Sequence, residues 1–234
     1  MTILVTGGCG FIGSNFINNW LLTSKENIIN IDKISYASNN KTSKIKNNKY
    51  FFYKADVRDK KKITKILKLH KPRVIINFAA ETHVDNSIKN PNIFFDNNLG
   101  SLLIFMQTIM SCYKSKKYKF IQISTDEVFG SLKNKDISFN ENSQYKPNNP
   151  YSASKASGDH LVRSFNKTFK FPSIITNCSN NFGKYQNKEK FIPLILNKIK
   201  KNQHIPIYGN GKQIRDWLYV IDHCEAIKLV IKKG

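Results

Sequence analysis

The segment TILVTGGCGFIG, residues Thr2–Gly13, decides the fold of this chain. Its first five residues are apolar or β-branched and predict a buried strand, and three spaced glycines follow directly. Gly7 permits a tight turn, Gly10 lets the backbone approach a pyrophosphate, and Gly13 lets the next helix lie close to the strand. This strand-to-helix context predicts a dinucleotide-binding loop with the helix N-terminus facing the anion, and an ordinary glycine-rich turn is the alternative.

The second apolar run, residues 28–31, ends at Asp32. In dinucleotide-binding folds an acidic residue at this place accepts hydrogen bonds from the ribose hydroxyls and repels a 2′-phosphate. The sequence therefore predicts NAD rather than NADP as the cofactor. The neighbouring Lys33 weakens that preference slightly.

Apolar runs alternate with amphipathic segments through most of the chain. Strands are predicted near residues 2–6, 28–31, 50–54, 73–78, 119–124 and 172–177, and helices near 12–23, 59–70, 92–114 and 151–168. This order predicts an α/β fold with a doubly wound parallel sheet of the Rossmann type over residues 1–175, followed by a partial, smaller C-terminal substrate region over 176–234. The polar residues 41–48 are predicted to form a loop. Asp32, Asp56 and Thr125 all follow predicted strands, at the edge where such folds collect ligands.

The composition narrows the class of protein. The 234 residues have a formal net charge of +22, but the lysines are spread over the whole chain, which favours a compositional bias over a nucleic-acid-binding surface. The positive field would still attract an anionic nucleotide substrate. With no apolar run of about 18 residues and no charged signal-peptide start, we expect a cytoplasmic protein with no membrane partner. The four cysteines are scattered and predict reduced thiols and no metal site.

The motif Tyr-x-x-x-Lys at Tyr151 and Lys155 is the next candidate for chemistry. The same spacing also begins at Tyr50, Tyr113 and Tyr208, so the motif alone is not informative. Only the pair at 151 and 155 opens a predicted helix after two prolines, with small residues that let a cofactor pack closely. Positions i and i+4 share a helix face, so the ammonium can lower the pKa of the phenol and hold the nicotinamide ribose. A capped surface helix is the alternative.

Two adjacent carboxylic acids, Asp126 and Glu127, follow Thr125 at the end of a predicted strand. A simple dehydrogenase needs a cofactor, a group that polarises the hydroxyl and a base. The extra carboxyls therefore predict a further proton removal and loss of water, which is the chemistry of a redox-assisted lyase. Loop carboxylates that cap backbone amides are the alternative.

These motifs together resemble the extended short-chain dehydrogenase/reductase group and, within it, the dTDP-glucose 4,6-dehydratase family. The resemblance covers essentially the whole chain. The matching segments are residues 7–16, 32–39, 78–85, 124–130, 150–156, 176–183, 189–193 and 215–220.

The resemblance implies roles for the candidate residues. Tyr151 would take the C4 hydroxyl proton of the sugar, helped by Thr125 and Lys155. Glu127 would be the base at C5, and Asp126, kept protonated, would give its proton to the departing C6 hydroxyl. The product would be dTDP-4-dehydro-6-deoxyglucose, an intermediate of the dTDP-rhamnose type of deoxysugar biosynthesis.

The resemblance also implies contacts with ligands. The NAD contacts would be Gly7, Gly10, Phe11, Ile12, Gly13, Asp32, Lys33, Ile34, Ser35, Asp56, Val57, Phe78, Ala79, Ala80, Glu81, Thr82, Asn97 or its neighbour Asn98, Tyr151, Lys155 and Asn181. The contacts with dTDP-glucose would be Thr82, Thr125, Asn180, Lys190, Phe191, Pro206, Ile207, Tyr208 and Arg215. Arg215 suits a diphosphate because a guanidinium binds two oxygens at once. The segment 206–208 also reads as a simple short strand.

The sequence departs from the family pattern in a few places. Cys9, Thr82 and Phe129 replace a usual alanine, serine and tyrosine. Family members continue past a position like Gly234, so we expect a C-terminally truncated form in which some apolar surface lies uncovered. The resemblance implies a homodimer packed through the helices near 92–114 and 151–169. A UDP-sugar dehydratase or epimerase and a non-enzymatic NAD-binding subunit remain the alternatives.

Overall fold

A parallel sheet forms the centre of the computed structural model, which describes residues 1–113, 117–132, 137–207 and 210–234. Its strands are β1 (Thr2–Thr6), β2 (Asn27–Asp32), β3 (Tyr50–Lys54), β4 (Val74–Asn77), β5 (Lys119–Thr125) and β6 (Ser173–Cys178). They lie in the order β3-β2-β1-β4-β5-β6, and all neighbouring pairs are parallel. The predicted doubly wound α/β fold is confirmed, since the strand order reverses between β1 and β4.

Helices connect the strands and cover both faces of the sheet. They are α1 (Phe11–Thr23), α2 (Asn40–Ser43), α3 (Lys60–His70), α4 (Val84–Lys89), α5 (Pro91–Phe95), α6 (Ser101–Cys112), α7 (Pro150–Phe169), α8 (Phe191–Lys200) and α9 (Val220–Lys233). None of them, over the described ranges, has the length and apolar character needed to cross a membrane.

Two details of the predicted elements are wrong. The single helix predicted over 92–114 is interrupted by a π-helical segment, Asp96–Gly100, between α5 and α6. There the Ser101 hydroxyl donates to the Asn97 carbonyl and competes with the regular backbone bond. The polar segment predicted as a loop begins with the short helix α2, which Asn39 caps by accepting a hydrogen bond from the Lys41 amide.

Each face of the sheet carries its own apolar core, because successive side chains of a strand point to opposite faces. On β1, Leu4 belongs to one core, with residues of α3, α6 and α7, whereas Ile3 and Val5 belong to the other. All three side chains are fully buried. The central position of β1 explains why its sequence is a continuous apolar run rather than an alternating one.

The last helix, α9, packs against α1 and completes the second core. Val220, Cys224, Ile227 and Ile231 of α9 are all buried in it. The boundary expected at residue 175 stays a prediction. The packing of α9, which is fourteen residues long, nevertheless joins the last part of the chain to the region of the parallel sheet.

A small second sheet lies beyond β6. It pairs β7 (Asn180–Phe182) with β8 (Trp217–Tyr219) in parallel. Helix α8 lies between them in sequence and has no buried residue, although it is amphipathic. Its side chains Phe191, Leu196 and Ile199 are each more than half exposed, so this region presents an apolar surface.

Candidate active site

The glycine loop joins β1 to α1 and is shaped by close backbone contacts. Gly7 has φ +66°, and a Cβ there would lie 2.6 Å from the Ala79 amide nitrogen at the end of β4. A Cβ on Gly13 would lie 2.6 Å from the Gly7 carbonyl oxygen. Both positions therefore require glycine, the first for its backbone conformation and the second for the close packing of helix on turn.

Hydrogen bonds to the Asp32 carboxylate connect this loop to the end of β2. Its two carboxylate oxygens accept hydrogen bonds from the backbone amides of Cys9 and Ile34, each 2.8 Å long. These bonds hold the glycine turn in place and order the residues that follow β2. Ile34 has a left-handed backbone, with φ 60°.

A cavity of about 1600 Å³ opens at the carboxyl ends of the strands. All five predicted catalytic residues line it, namely Thr125, Asp126, Glu127, Tyr151 and Lys155. The predicted cofactor residues in its wall are Gly7, Gly10, Phe11, Ile12, Gly13, Asp32, Lys33, Ser35, Asp56, Val57, Phe78, Ala79, Ala80, Glu81, Thr82, Asn97, Tyr151, Lys155 and Asn181. Ile34 is not among them. The structure thus gathers residues from nearly the whole chain into one cleft.

The predicted substrate residues divide into two groups. Those lining the cavity are Thr82, Thr125, Asn180, Lys190 and Arg215. Phe191 instead stacks on Trp217 with ring centroids 6.1 Å apart, and Pro206 and Ile207 are exposed outside the cavity and form no strand. Tyr208 lies outside the described residues.

The two neighbouring asparagines have different environments. Asn97 lines the cavity and accepts a 3.0 Å hydrogen bond from the Lys33 ammonium. Asn98 is buried and joins the Glu81 backbone to the Ser154 hydroxyl. The Asn97 amide also donates to the Ile93 carbonyl (2.9 Å). Of the two asparagines, Asn97 lies in the cavity wall, so the geometry favours it as the ligand contact. Lys33 also forms an ion pair with Glu81 at 3.3 Å.

The two acids lie in a 3₁₀ turn, Asp126–Phe129, directly after β5. The Thr125 hydroxyl donates to the Asp126 carboxylate (3.2 Å) and accepts from the Glu127 amide (3.3 Å). Burial raises the pKa of Asp126 and of Glu127. For Glu127, a hydrogen bond from Asn149 and the charges of Arg215 and Lys190 partly offset the effect of burial. Buried carboxyls with raised pKa values are suited to exchange protons near neutral pH.

Tyr151 and Lys155 lie in the first turns of α7. A capping box between Asn149 and Ser152 and a proline at the first turn fix where this helix begins. Burial raises the pKa of the Tyr151 phenol, and hydrogen bonding to Thr125 opposes the rise. Burial lowers the pKa of the Lys155 ammonium, which donates a 2.7 Å hydrogen bond to the Ile123 carbonyl on β5. The expected lowering of the phenol's pKa by Lys155 stays a prediction.

Three further cavity residues were not predicted from the sequence. Asn177 on β6 donates to the Thr125 carbonyl (3.1 Å) and so supports the turn that follows β5. His223 on α9 is buried and lies 2.9 Å from Asn181 through its Nδ1 atom. Burial lowers the pKa of His223 to about 4, so the ring is neutral near pH 7. The third is Gln186, whose amide nitrogen donates to the Asn181 carbonyl (2.9 Å). For Asn177 and His223 the available signal was a polar residue within an apolar strand or helix, whereas Gln186, in a loop, carried no such signal.

The glycine loop fits a dinucleotide diphosphate. Helix α1 begins after Gly10 with no side chain capping its N-terminus and no acidic residue in its first turn, so its first amides are left for an anion. A Cβ added at Gly10 would meet only the Gly7 carbonyl oxygen, at 3.1 Å. The turn therefore leaves space on its outer side. In the described part of the chain, no group of three or more His, Cys, Asp or Glu side chains could hold a metal ion.

The chain is similar over its whole length to nucleotide-sugar dehydratases. A sequence profile of the family described as GDP-mannose 4,6 dehydratase matches residues 4–234. The dTDP-glucose 4,6-dehydratase of Xanthomonas campestris pv. campestris (strain B100) is 43% identical over 241 residues, which cover 100% of this chain and 68% of that protein.

Two solved structures are similar over the whole chain. The dTDP-glucose 4,6-dehydratase of Bacillus anthracis in complex with NAD has a TM-score of 0.91 and 40% identity, and the match covers 100% of this chain and 72% of that one. The dTDP-glucose 4,6-dehydratase of Streptomyces venezuelae with NAD and TYD bound has a TM-score of 0.93 and 34% identity, with 100% and 73% covered. Such agreement in sequence and fold means that the chain belongs to the dTDP-glucose 4,6-dehydratase family of nucleotide-sugar dehydratases.

Proposed function

We propose that this protein is an NAD-dependent dTDP-glucose 4,6-dehydratase that converts dTDP-glucose to dTDP-4-dehydro-6-deoxyglucose and water. The single observation that carries the proposal is the meeting of Asp126, Glu127 and Tyr151 in the wall of one cavity that also contains the glycine loop. The family membership and the NAD-bound relatives support the same reaction.

When bound, NAD supplies a transient two-electron oxidation at C4 of the sugar and returns the hydride to C6. The predicted cofactor residues in the cavity wall would hold it, with the diphosphate at the N-terminus of α1. NAD is favoured over NADP because Asp32 lies at the end of β2 and would repel a 2′-phosphate.

Tyr151 is assigned the role of base at the C4 hydroxyl. Its phenol lies in a dry environment together with Thr125, which can hold the same sugar oxygen. The Lys155 ammonium stabilises the phenolate by its charge. This arrangement moves the hydroxyl proton to the phenolate oxygen as C4 is oxidised.

Glu127 and Asp126 are assigned the elimination. The C4 ketone makes the neighbouring C5 hydrogen acidic, and the Glu127 carboxylate takes that proton. The Asp126 carboxyl gives its own proton to the C6 hydroxyl, which leaves as water. The raised pKa of Asp126 favours the protonated form that this step needs. The Glu127 proton then returns to C5 as hydride returns to C6, which leaves Asp126 one proton short and Tyr151 with the proton of the C4 hydroxyl. Transfer of that proton from Tyr151 to Asp126 through solvent restores the starting state.

Lys190 and Arg215 supply positive charge at the substrate end of the cavity. Both act on Glu127, and Lys190 also donates to the Thr82 carbonyl (3.1 Å). We assign Arg215 to the substrate diphosphate and Thr82, Asn180 and Lys190 to the sugar-nucleotide contacts. The residue assignments of Phe191 and of 206–208 have weaker support, because Phe191, Pro206 and Ile207 lie outside the cavity wall.

We also propose that the protein is cytoplasmic and forms a homodimer, as the resemblance implies. Three apolar residues of α6, Leu102, Phe105 and Met106, are buried in the core against the sheet. A dimer through α6 and α7 would therefore use their outer faces. Gel filtration tests this, since a dimer would elute near twice the 27.0 kDa of one chain.

The activity is tested by incubating the purified protein with dTDP-glucose and NAD and measuring the alkali-induced absorbance of the 4-keto product. A parallel reaction with UDP-glucose distinguishes a uridine-sugar enzyme. NAD binding is measured separately by calorimetry. Product from dTDP-glucose supports the proposal. Tight NAD binding without product from either sugar would contradict it and favour a non-enzymatic NAD-binding protein.

A further inference from the structure

A buried carboxylate that the reaction does not use lies one helical turn beyond Lys155. Asp159 is 1% exposed and Lys155 is 6% exposed, so two opposite charges share a dry region of α7. Residues four apart on a helix lie on the same face. Both side chains form hydrogen bonds with consecutive residues of β5. The Ile123 carbonyl accepts from Lys155, and the Ser124 hydroxyl donates to Asp159.

The hydrogen bonds of Asp159 favour its ionised form. Its Oδ2 atom accepts from the Ser124 hydroxyl at 2.6 Å and from the Tyr145 hydroxyl at 3.1 Å. Within the described part of the chain, Oδ1 has no hydrogen-bond partner. Both hydroxyls can donate to a carboxylate, and neither is a carbonyl or carboxylate that would require Asp159 to carry a proton. Burial raises the pKa of Asp159, and the Lys155 charge and hydrogen bonding with Ser124, Tyr145 and Asn177 oppose part of that rise.

The buried Lys155 ammonium needs a negatively charged neighbour, because burial disfavours its charged form. Two acidic groups act on its ammonium, Asp159 and Cys178. Burial raises the pKa of the Cys178 thiol to about 11, so that thiol is neutral near pH 7. Asp126 and Glu127 act on Tyr151 rather than on Lys155. The negative charge that opposes the desolvation of Lys155 therefore comes from Asp159.

We propose that Asp159 is a positioning residue for the dehydratase reaction: its buried carboxylate holds the Lys155 ammonium in its charged form beside Tyr151. The inference rests on the proposed function. A tyrosine and a lysine that share one proton have two arrangements, phenolate with ammonium or phenol with neutral amine, and only the first can act as a base at the sugar hydroxyl. Asp159 biases the pair toward the first arrangement because its charge stabilises the ammonium.

The test removes the charge of Asp159 and keeps the shape of its side chain. Asp159→Asn retains oxygen and volume for the Ser124 and Tyr145 contacts, and Glu225→Gln, an exposed acid-to-amide change on α9, is the matched control. Titration of the apoprotein by NMR with ¹³C-labelled lysine follows Lys155 directly, with the signal assigned by its absence in Lys155→Arg. We expect Lys155 to lose its proton at a lower pH in Asp159→Asn and at an unchanged pH in the control.

Kinetics give a second readout. Each unit by which the pKa of Lys155 falls reduces the population of the phenolate-ammonium arrangement about tenfold. We therefore expect kcat to fall at least about tenfold in Asp159→Asn. KM for the sugar nucleotide should stay unchanged, and the alkaline limb of the pH profile should move to lower pH. A folded Asp159→Asn protein with unchanged Lys155 titration would overturn the proposal.

A measurement on the wild-type protein keeps the proposal testable if Asp159→Asn does not fold. The ¹³C signal of the Asp159 carboxyl, assigned from selectively labelled protein, reports its charge. We expect it to be ionised at neutral pH. A protonated Asp159 at neutral pH would contradict the inference. Neither NMR experiment depends on turnover, so an inactive but folded protein contradicts the proposed function and leaves this inference to be decided on its own.

Discussion

Replacing Asn98 by alanine should destabilise the protein by about 3 kcal/mol, because a buried side chain with three hydrogen bonds is lost. Its Oδ1 accepts from the Glu81 amide at 2.7 Å, and its Nδ2 donates to the Glu81 carbonyl at 3.0 Å and to the Ser154 hydroxyl at 2.9 Å. Asn98 is 5% exposed, so water cannot replace these partners freely. Each hydrogen bond contributes roughly 0.5–1.5 kcal/mol, which gives the sum.

The assay is thermal unfolding followed by circular dichroism. For a domain of this size, 1 kcal/mol corresponds to roughly 2–4 °C, so the Asn98→Ala midpoint should fall by about 6–12 °C. Asn97→Ala is the matched control: its side-chain hydrogen bonds with Lys33 and with the Ile93 carbonyl are exposed and should together contribute about 1 kcal/mol or less. If both variants melt within about 2 °C of the wild type, the reasoning from burial and hydrogen bonding is refuted.

Three other changes test the site. Glu127→Gln should lower kcat by roughly 10²–10⁴-fold through loss of the C5 base while NAD binding, measured by calorimetry, stays unchanged; normal turnover would remove the assignment. Gly13→Ala should weaken NAD binding and lower the melting temperature, since the new Cβ would lie 2.6 Å from the Gly7 carbonyl oxygen; tight binding would show that the loop can move aside at little cost. Asp126→Asn should raise the melting temperature at pH 7 while abolishing activity. Because burial raises the folded-state pKa of Asp126, the folded protein loses stability as the pH rises through that pKa. The gain in stability from Asp126→Asn should therefore vanish near pH 4. A variant less stable than the wild type at pH 7 would contradict the sign of this effect.

Features encoded in neighbouring residues were predictable from the sequence. The glycine loop, the end of β2 at Asp32 and the start of α7 at the Asn149 cap depend on residues within a few positions of each other. The position of the catalytic acids followed for the same reason, since β5 ends at Thr125 and the turn begins at Asp126. Local propensity and the rule that ligands collect at the carboxyl ends of strands were sufficient.

Contacts between distant residues were not predictable in this way. His223 meets Asn181 across 42 positions, and Asn177 supports Thr125 across 52. A single sequence does not fix which polar partners a fold will bring together. The helix α9 did carry a signal, because Val220, Cys224, Ile227 and Ile231 repeat at helical spacing. That pattern shows one apolar face but not the sheet face that it covers.

The repeated Tyr-x-x-x-Lys motif shows how context separates identical patterns. Tyr50 lies on β3, where its hydroxyl accepts from Asn30, and Tyr113 follows α6 and donates to the Pro72 carbonyl. Neither lines the cavity, whereas Tyr151 does. The preceding prolines and the small residues around Tyr151 marked the difference, because they describe a capped helix with a flat face rather than a strand or a loop.

Burial at the end of β5 has opposite effects on stability and on chemistry. It raises the pKa values of Asp126, Glu127 and Tyr151 and lowers that of Lys155, so each charged form is disfavoured in the folded protein. An exposed carboxyl would be ionised near pH 7 and could not donate a proton to a leaving hydroxyl. For Asp126, the same exclusion of water that disfavours its charged form lets the carboxyl donate a proton at neutral pH. For Tyr151 it opposes the phenolate, so the charge of Lys155 must offset it. Stability must therefore come from the two apolar cores of the sheet, and variants that neutralise a site acid should gain stability as they lose function.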